Sequence, residues 1–365
     1  MCGKADRRAV LAGLAATGFL AGSGISSSLA MGPALTRQNR FFVPDEAEPH
    51  ARTFMQWPVS RQVHPDRYFL DDLQETIASI ANAIVDFEPV VMLMADEDMR
   101  AAQRLLSEAI EIWPIPTEDL WARDSGPLFV TDGQGNLAIR QMNFNGWGGK
   151  QVHVRDGQVA RLVAEHMGLP LLDNGVVGEP GGVEADGHGL LMAHESSWVN
   201  PNRNAQNRDV IEALLLAAYG AERMIWAPGI AGEDITDYHI DSLARFVAPG
   251  KALIQLAAEH DPSDPWNDVP YQTHDILAET LDLVVIHEPE QRRVRSDDFV
   301  ASYANYYICN QTVICAQFGD SRRDGEARAM LGELYPGREI ITLNVDALGE
   351  VGGGIHCATR EQPAV

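Results

Sequence analysis

Apolar residues recur with helical spacing over residues 70–86, 96–109, 157–166, 206–218 and 323–334, the last ahead of Tyr335-Pro336-Gly337. Short β-forming apolar runs separate them at 90–94, 190–193, 252–256, 283–286 and 340–343. Helix and strand alternate throughout, which predicts an α/β chain. Glycine, asparagine, aspartate and proline collect in the loops, where function is carried in such folds. Asp132-Gly133-Gln134-Gly135 lacks the full dinucleotide-binding fingerprint and reads as a hairpin turn. A second hairpin turns at Asn310-Gln311, with Cys309 facing Thr312 and Cys315 facing Tyr306. The two sulfurs then project from opposite sheet faces, and no disulfide is implied. No linker and no residue-level repeat is visible, so residues 31–365 read as a single domain.

The first thirty residues break this pattern. Arg7 and Arg8 precede an uncharged Ala, Gly, Leu and Phe stretch, and Ser28-Leu29-Ala30 offers small residues for cleavage. That is the arrangement of a bacterial twin-arginine signal peptide over residues 1–30, which predicts a periplasmic or secreted protein. Its apolar run is too weakly hydrophobic to span a bilayer comfortably, so no stable membrane insertion is expected after its removal. Such a signal exports folded protein, so a thiol enzyme can fold first in the reducing cytoplasm.

At 365 residues, with 45% hydrophobic and 22% charged residues, the chain can bury a sizeable core. Its formal charge of −24 argues against nucleic acid, whose phosphates need a basic surface. Removing residues 1–30 makes it more acidic still, since Lys4, Arg7 and Arg8 leave with only Asp6. The charge suits solubility, or a cationic substrate. A homo-oligomer is compatible with the sequence, which does not specify one.

Four clusters carry candidate chemistry. Near the C-terminus Cys357 follows Gly352-Gly353-Gly354-Ile355-His356, which gives it open backbone on one side and a histidine next door to lower its pKa. Trp121-Ala122-Arg123-Asp124 offers an aromatic face and a carboxylate, the two things a planar guanidinium wants. In Tyr238-His239-Ile240-Asp241 an extended backbone points His239 and Asp241 to one side, and a histidine beside carboxylates suits general acid catalysis. A metal site competes there, with His188 and His194 upstream, but no pair has a zinc spacing and no metal is assigned. Around Glu179-Pro180-Gly181-Gly182 the glycines suggest a phosphate cradle, which Glu179, Glu184 and Asp186 would repel.

Taken in order, these segments resemble the agmatine deiminases and bacterial peptidylarginine deiminases of the guanidine-modifying pentein superfamily. The resemblance rests on the three Trp, His and Cys motifs above, together with Phe144-Asn145-Gly146-Trp147-Gly148-Gly149-Lys150, Asn200-Pro201-Asn202-Arg203-Asn204 and Ser302-Tyr303-Ala304-Asn305-Tyr306. It implies a five-bladed, pseudo-symmetric α/β propeller of ββαβ units around a central pocket. It also implies Cys357 as nucleophile, His239 as general acid and base, and Asp124 and Asp241 as the guanidinium grip. Trp121 would be a stacking wall, with Asn305 and Glu179 among the substrate-binding residues and no cofactor. Where the family commonly reads Glu-Gly-Gly this chain has Glu179-Pro180-Gly181, a stiffer loop that leaves the role of Glu179 open.

The favoured reaction is agmatine to N-carbamoylputrescine and ammonia through a covalent amidino-cysteine. Asn145-Gly146-Trp147-Gly148-Gly149 holds no basic residue before Lys150, so it offers no clamp for a substrate carboxyl. Peptidyl or free arginine deimination is the near alternative, and amidino transfer would use the same intermediate. From another class, a periplasmic binding protein for polyamine-like cations would leave Cys357 idle.

Overall fold

The computed structural model describes residues 41–365 apart from Asp297. The expected signal at 1–30 lies outside them. Helix and strand alternate as expected, and they do so as one unit used five times. A strand pairs antiparallel with the next, a helix follows, and a third strand returns parallel to the second.

The chain begins with β1 (His50–Gln56), α1 (Arg67–Ile84), β2 (Val90–Met94) and β3 (Glu111–Pro114). The second sheet holds β4 (Leu128–Thr131), β5 (Leu137–Gln141), α2 (Val159–Met167) and β6 (Leu171–Asp173). In the third come β7 (Val183–Ala185), β8 (Leu190–His194), α3 (Arg208–Tyr219) and β9 (Arg223–Ala227). The fourth comprises β10 (Ala244–Ala248), β11 (Lys251–Leu256), α4 (Pro265–Ala278) and β12 (Asp282–His287). The fifth comprises β13 (Tyr307–Ile308), β14 (Thr312–Ala316), α5 (Ser321–Leu334) and β15 (Glu339–Leu343). Last, β16 (Arg360–Pro363) pairs antiparallel with β1, Phe54 opposite Arg360, so the chain's end completes its first sheet. The fold is a five-bladed α/β propeller.

Physical chemistry dictates the unit. A parallel return needs a crossover of about a dozen residues or more, and a helix supplies one with its backbone bonds satisfied. In α1 the buried Leu73, Ile77, Ile80, Ala81 and Ile84 recur at helical spacing and face the sheets. Burying an Ile or Leu side chain is worth about 1.5–3 kcal/mol, which holds the helix on its blade.

Three expectations need correction. The helix expected over 96–109 is only one turn at Met99–Ala102. Asn82 of α1 donates to Leu105 O at 2.9 Å and accepts from Ser107 N at 2.7 Å, diverting the peptide groups that would have continued it. Conversely, α4 was not expected, because Pro270 interrupts its pattern and its buried face is sparse. Asp264 nonetheless caps it, accepting from Trp266 N at 3.0 Å, with Pro265 well placed in the first turn. The repeat itself was invisible because each blade fills its core with different residues and joins its strands through loops of different length.

The hairpins at 132–135 and 310–311 form as expected. In the second, Tyr307 faces Ile314, Ile308 faces Val313, and Cys309 N donates to Thr312 O at 2.8 Å. Cys309, Cys315 and Cys357 are all free thiols. Among the described residues no helix is long and apolar enough to cross a membrane.

Candidate active site

Every blade contributes to one site from the same place, the loop leading into its first strand. Trp121 and Asp124 precede β4, Glu179 to Gly182 precede β7, and His239 and Asp241 precede β10. Asn305 precedes β13, and Cys357 precedes β16. Pseudo-symmetry thus gathers at one end of the propeller residues far apart in sequence. Cys357, His239, Asp124, Asp241 and Trp121 line a single cavity of about 900 Å³.

Cys357 Sγ lies 3.5 Å from Asp241 Oδ2 and accepts from Asn305 Nδ2 at 3.1 Å. Asn305 also accepts from Cys357 N through Oδ1 at 3.2 Å and donates to Asp241 O at 3.2 Å. It therefore fixes the nucleophile and its neighbour. The glycines before the cysteine have a packing role that the sequence reading missed. A Cβ on Gly353 would come within 2.5 Å of the Trp121 ring, and one on Gly354 within 2.6 Å of Asn305 Oδ1.

His356 does not serve the thiol as expected. Its Nδ1 faces Asp241 Oδ2 at 2.7 Å, and its Nε2 faces Glu46 Oε2 at 2.8 Å. Burial pushes the Cys357 thiol well above its ordinary range, and the charges of Asp241 and Asp124 push it further. Asp241 behaves oppositely. Burial would raise it, but His356, His239 and Arg245 together hold it below the usual carboxylate range. Its Oδ1 is buried and has no hydrogen-bond partner among the described residues. A buried acceptor without a donor is costly; the oxygen beside the thiol is the other one, Oδ2.

Asp241 lies in a short 3₁₀ turn, Ile240–Ser242, and only His239, the residue that caps it, keeps an extended backbone, yet both line the cavity. His239 Nε2 donates to Glu179 Oε2 at 3.3 Å, and its Nδ1 lies 3.7 Å from Asp124 Oδ1. Burial alone would lower this histidine, but Asp124, Glu179 and Asp241 outweigh it and raise it to about 9. Asp124 is raised to about 6, first by burial and then by Glu179 and Asp241, against the opposing pull of His239 and the Trp147 hydrogen bond. Before His239, Asp237 and Tyr238 both have positive φ, 59° and 69°. Arg203 and Lys150 hold that strained corner through the Asp237 carboxylate, at 2.7 and 2.8 Å.

Glu179 and Asn305 are not among the cavity-lining residues, which differs from the substrate-contact role expected of them. Both are turned to their neighbours instead. The Glu179 carboxylate accepts from Arg203 Nε at 3.0 and 2.8 Å as well as from His239. The stiff Pro180 leaves the loop intact, and it delivers Gly181 N to Asp124 Oδ1 at 3.2 Å. A Cβ on Gly181 would lie 2.6 Å from that oxygen and 2.9 Å from His239 Nδ1, so nothing larger fits between them.

Several functional residues escaped the sequence reading. Arg123, which could have paired with Asp124 on a surface, points away into a buried network with Glu46 and Glu361. Arg245 joins it through Glu46 and Glu184. Trp147 donates from Nε1 to Asp124 Oδ2 at 2.9 Å while holding φ 54° and ψ 47°. An aromatic residue in left-handed backbone costs on the order of 1 kcal/mol or more, and such strain clusters at functional sites. The glycines flanking it in Gly146-Trp147-Gly148-Gly149 were the available signal. Trp147→Phe keeps the ring and removes the donor, so the Asp124 pKa should rise. Activity near pH 6 should then fall about tenfold with little loss at pH 8. A pH–rate comparison checks this, because a steric defect would lower both equally.

The profile of the Porphyromonas-type peptidyl-arginine deiminase family matches residues 42–363. The chain belongs to that family. Its members are amidine hydrolases acting on C–N bonds, and this chain is a hydrolase of that kind. It is 33% identical to the agmatine deiminase of Stutzerimonas stutzeri, over 90% of this chain and 97% of the relative. Identity to the agmatine deiminase of Ectopseudomonas mendocina is 31%, over 90% and 97%. Among solved structures, the agmatine deiminase of Enterococcus faecalis superposes with a TM-score of 0.83 at 25% identity, covering 90% of this chain and 97% of that one. These relatives lend no support to a periplasmic cation-binding protein.

Proposed function

We propose that this chain hydrolyses agmatine to N-carbamoylputrescine and ammonia through a covalent intermediate on Cys357. One observation carries the reading: a buried thiol shares a cavity wall with two buried carboxylates, whose charges oppose its ionisation. A guanidinium supplies what is missing. Its N–H groups satisfy Asp124 and Asp241, and its charge offsets the carboxylates that raise the thiol. The thiolate is then favoured only once the cation is bound, its proton leaving to solvent.

The thiolate attacks the guanidinium carbon, and protonated His239 gives its proton to the departing nitrogen, releasing ammonia. Neutral His239 next takes a proton from water, the hydroxide adds to the amidino carbon, and the C–S bond breaks to leave a ureido group. Glu179 and Arg203 hold the imidazole throughout. Trp121, packed on Gly353, offers its face to the substrate. That these relatives are agmatine deiminases supports the choice of substrate.

The test is ammonia release from agmatine against pH. Asp124 must be ionised, so kcat/KM should fall as pH drops through about 6. His239 must be protonated, so it should fall again as pH rises through about 9. A flat profile, or no ammonia, would reject the mechanism. We also propose export, on the strength of Arg7, Arg8 and the small residues at 28–30. Replacing both arginines by lysine should trap precursor in the cytoplasm, and intact residues 1–30 on the untouched protein would refute it.

A further inference from the structure

A second polar group opens on the same cavity away from the thiol. His64, Asp119 and Gln151 all line it, and His64 and Asp119 are buried. His64 Nε2 donates to Asp119 Oδ1 at 2.9 Å, and Gln151 Nε2 donates to Asp119 Oδ2 at 2.8 Å. The backbone that carries this carboxylate is held from behind. Asp156 accepts from Glu118 N at 2.8 Å and from Asp119 N at 3.1 Å, and Gln56 Nε2 donates to Asp119 O at 3.2 Å.

In its neutral form, with Nε2 donating to Asp119, His64 leaves Nδ1 as an acceptor that has no partner among the described residues. The Gln151 side-chain oxygen likewise has none. The group therefore presents two unused acceptors backed by a buried negative charge. What fits them is a compact cation with several N–H donors, a primary ammonium. A carboxylate placed there would meet the charge of Asp119. Trp121, two residues along the same loop, lies in the same wall as Asp124 and Cys357. The thiol and this group therefore open on one space.

We infer that His64, Gln151 and Asp119 form the subsite for the ammonium at the far end of the guanidine substrate. The inference rests on the agmatine reading above and adds the residues that distinguish agmatine from other guanidines. Neither His64 nor Gln151 touches the reacting carbon, so they act on substrate choice and not on the chemical step.

The experiment compares agmatine with butylguanidine, which has the same chain and guanidine but no ammonium. Wild type should favour agmatine, and His64→Leu should lower kcat/KM for agmatine about tenfold or more, chiefly through KM. Butylguanidine turnover should stay within about twofold of wild type, which also reports that the variant folds. Gln151→Leu should act in the same direction, and His64→Gln should restore part of the loss. Equal loss on both substrates, or unchanged agmatine kinetics, would overturn the subsite while leaving the reaction standing. Release of ammonia from neither compound by wild type would overturn both readings.

Discussion

Cys357→Ser should retain the fold and lose turnover by at least about a thousandfold. The cavity raises the pKa of whatever acid stands at this position, and a serine hydroxyl begins far higher than a thiol. A bound guanidinium can offset Asp124 and Asp241 enough to favour a thiolate, but not enough to make an alkoxide. Cys309 and Cys315 give the contrasting case. Both are buried, and burial pushes the Cys315 thiol up to about 12 with no cationic substrate to reverse it. Serine at either should cost on the order of 1–3 kcal/mol of stability and leave the folded enzyme active. Acid-quenched wild type should carry substrate minus ammonia on the Cys357 peptide. A fully active Cys357→Ser, or an adduct elsewhere, would reject the nucleophile.

The parts of this site differ in how legible they were, and the reason is geometric. Side chains that reach into the cavity have chemistry that names them: a thiol behind glycines, a Trp and Asp before a strand, a His two residues from an Asp. The residues behind them do not. Glu46 looks like one more acid in Asp45-Glu46-Ala47-Glu48, yet it anchors Arg123, Arg245 and His356 at once. No local pattern could have found it, because its partners come from three different blades, Arg123 and His356 from entry loops and Arg245 from β10. His356 shows the opposite error. Adjacency to Cys357 suggested a role for it on the thiol, but neighbouring residues leave a turn in different directions, and its ring went to Asp241. In the fold, strands with strong apolar runs were found and weak ones were missed. A short entry strand such as β7 owes its existence to pairing in a blade more than to propensity.

Agmatine should be turned over with a kcat/KM at least about a hundredfold above free arginine. The difference lies at the end remote from the thiol, where agmatine carries an ammonium and arginine adds a carboxylate. The absence of a basic clamp in the loop at 145–149 is now seen to be structural. Gly146 and Gly148 have φ of 69° and 82°, and a Cβ on either would come within 2.5 Å of neighbouring atoms. Arginine at those positions would distort the loop that aims Trp147 at Asp124, so a clamp cannot be built there. Lys150 is no substitute, because it bonds the Asp237 carboxylate and the carbonyls of Asp234 and Ile235. Among the described lining residues only Arg292 is an arginine or lysine. It donates to Phe299 O at 3.2 Å and lies over that ring, while Glu233, Asp234, Glu288 and Glu350 line the same cavity. A substrate carboxylate entering this surround is poorly paired. Roughly 3 kcal/mol of such mismatch already amounts to a hundredfold in kcat/KM. Asp124→Asn and Asp241→Asn should cripple both substrates, because they act on the shared guanidinium. Arg292→Ala should leave agmatine unaffected. Should an arginine-containing peptide match agmatine, and Arg292→Ala abolish its turnover alone, Arg292 is a carboxyl or carbonyl clamp and the enzyme is a peptidylarginine deiminase.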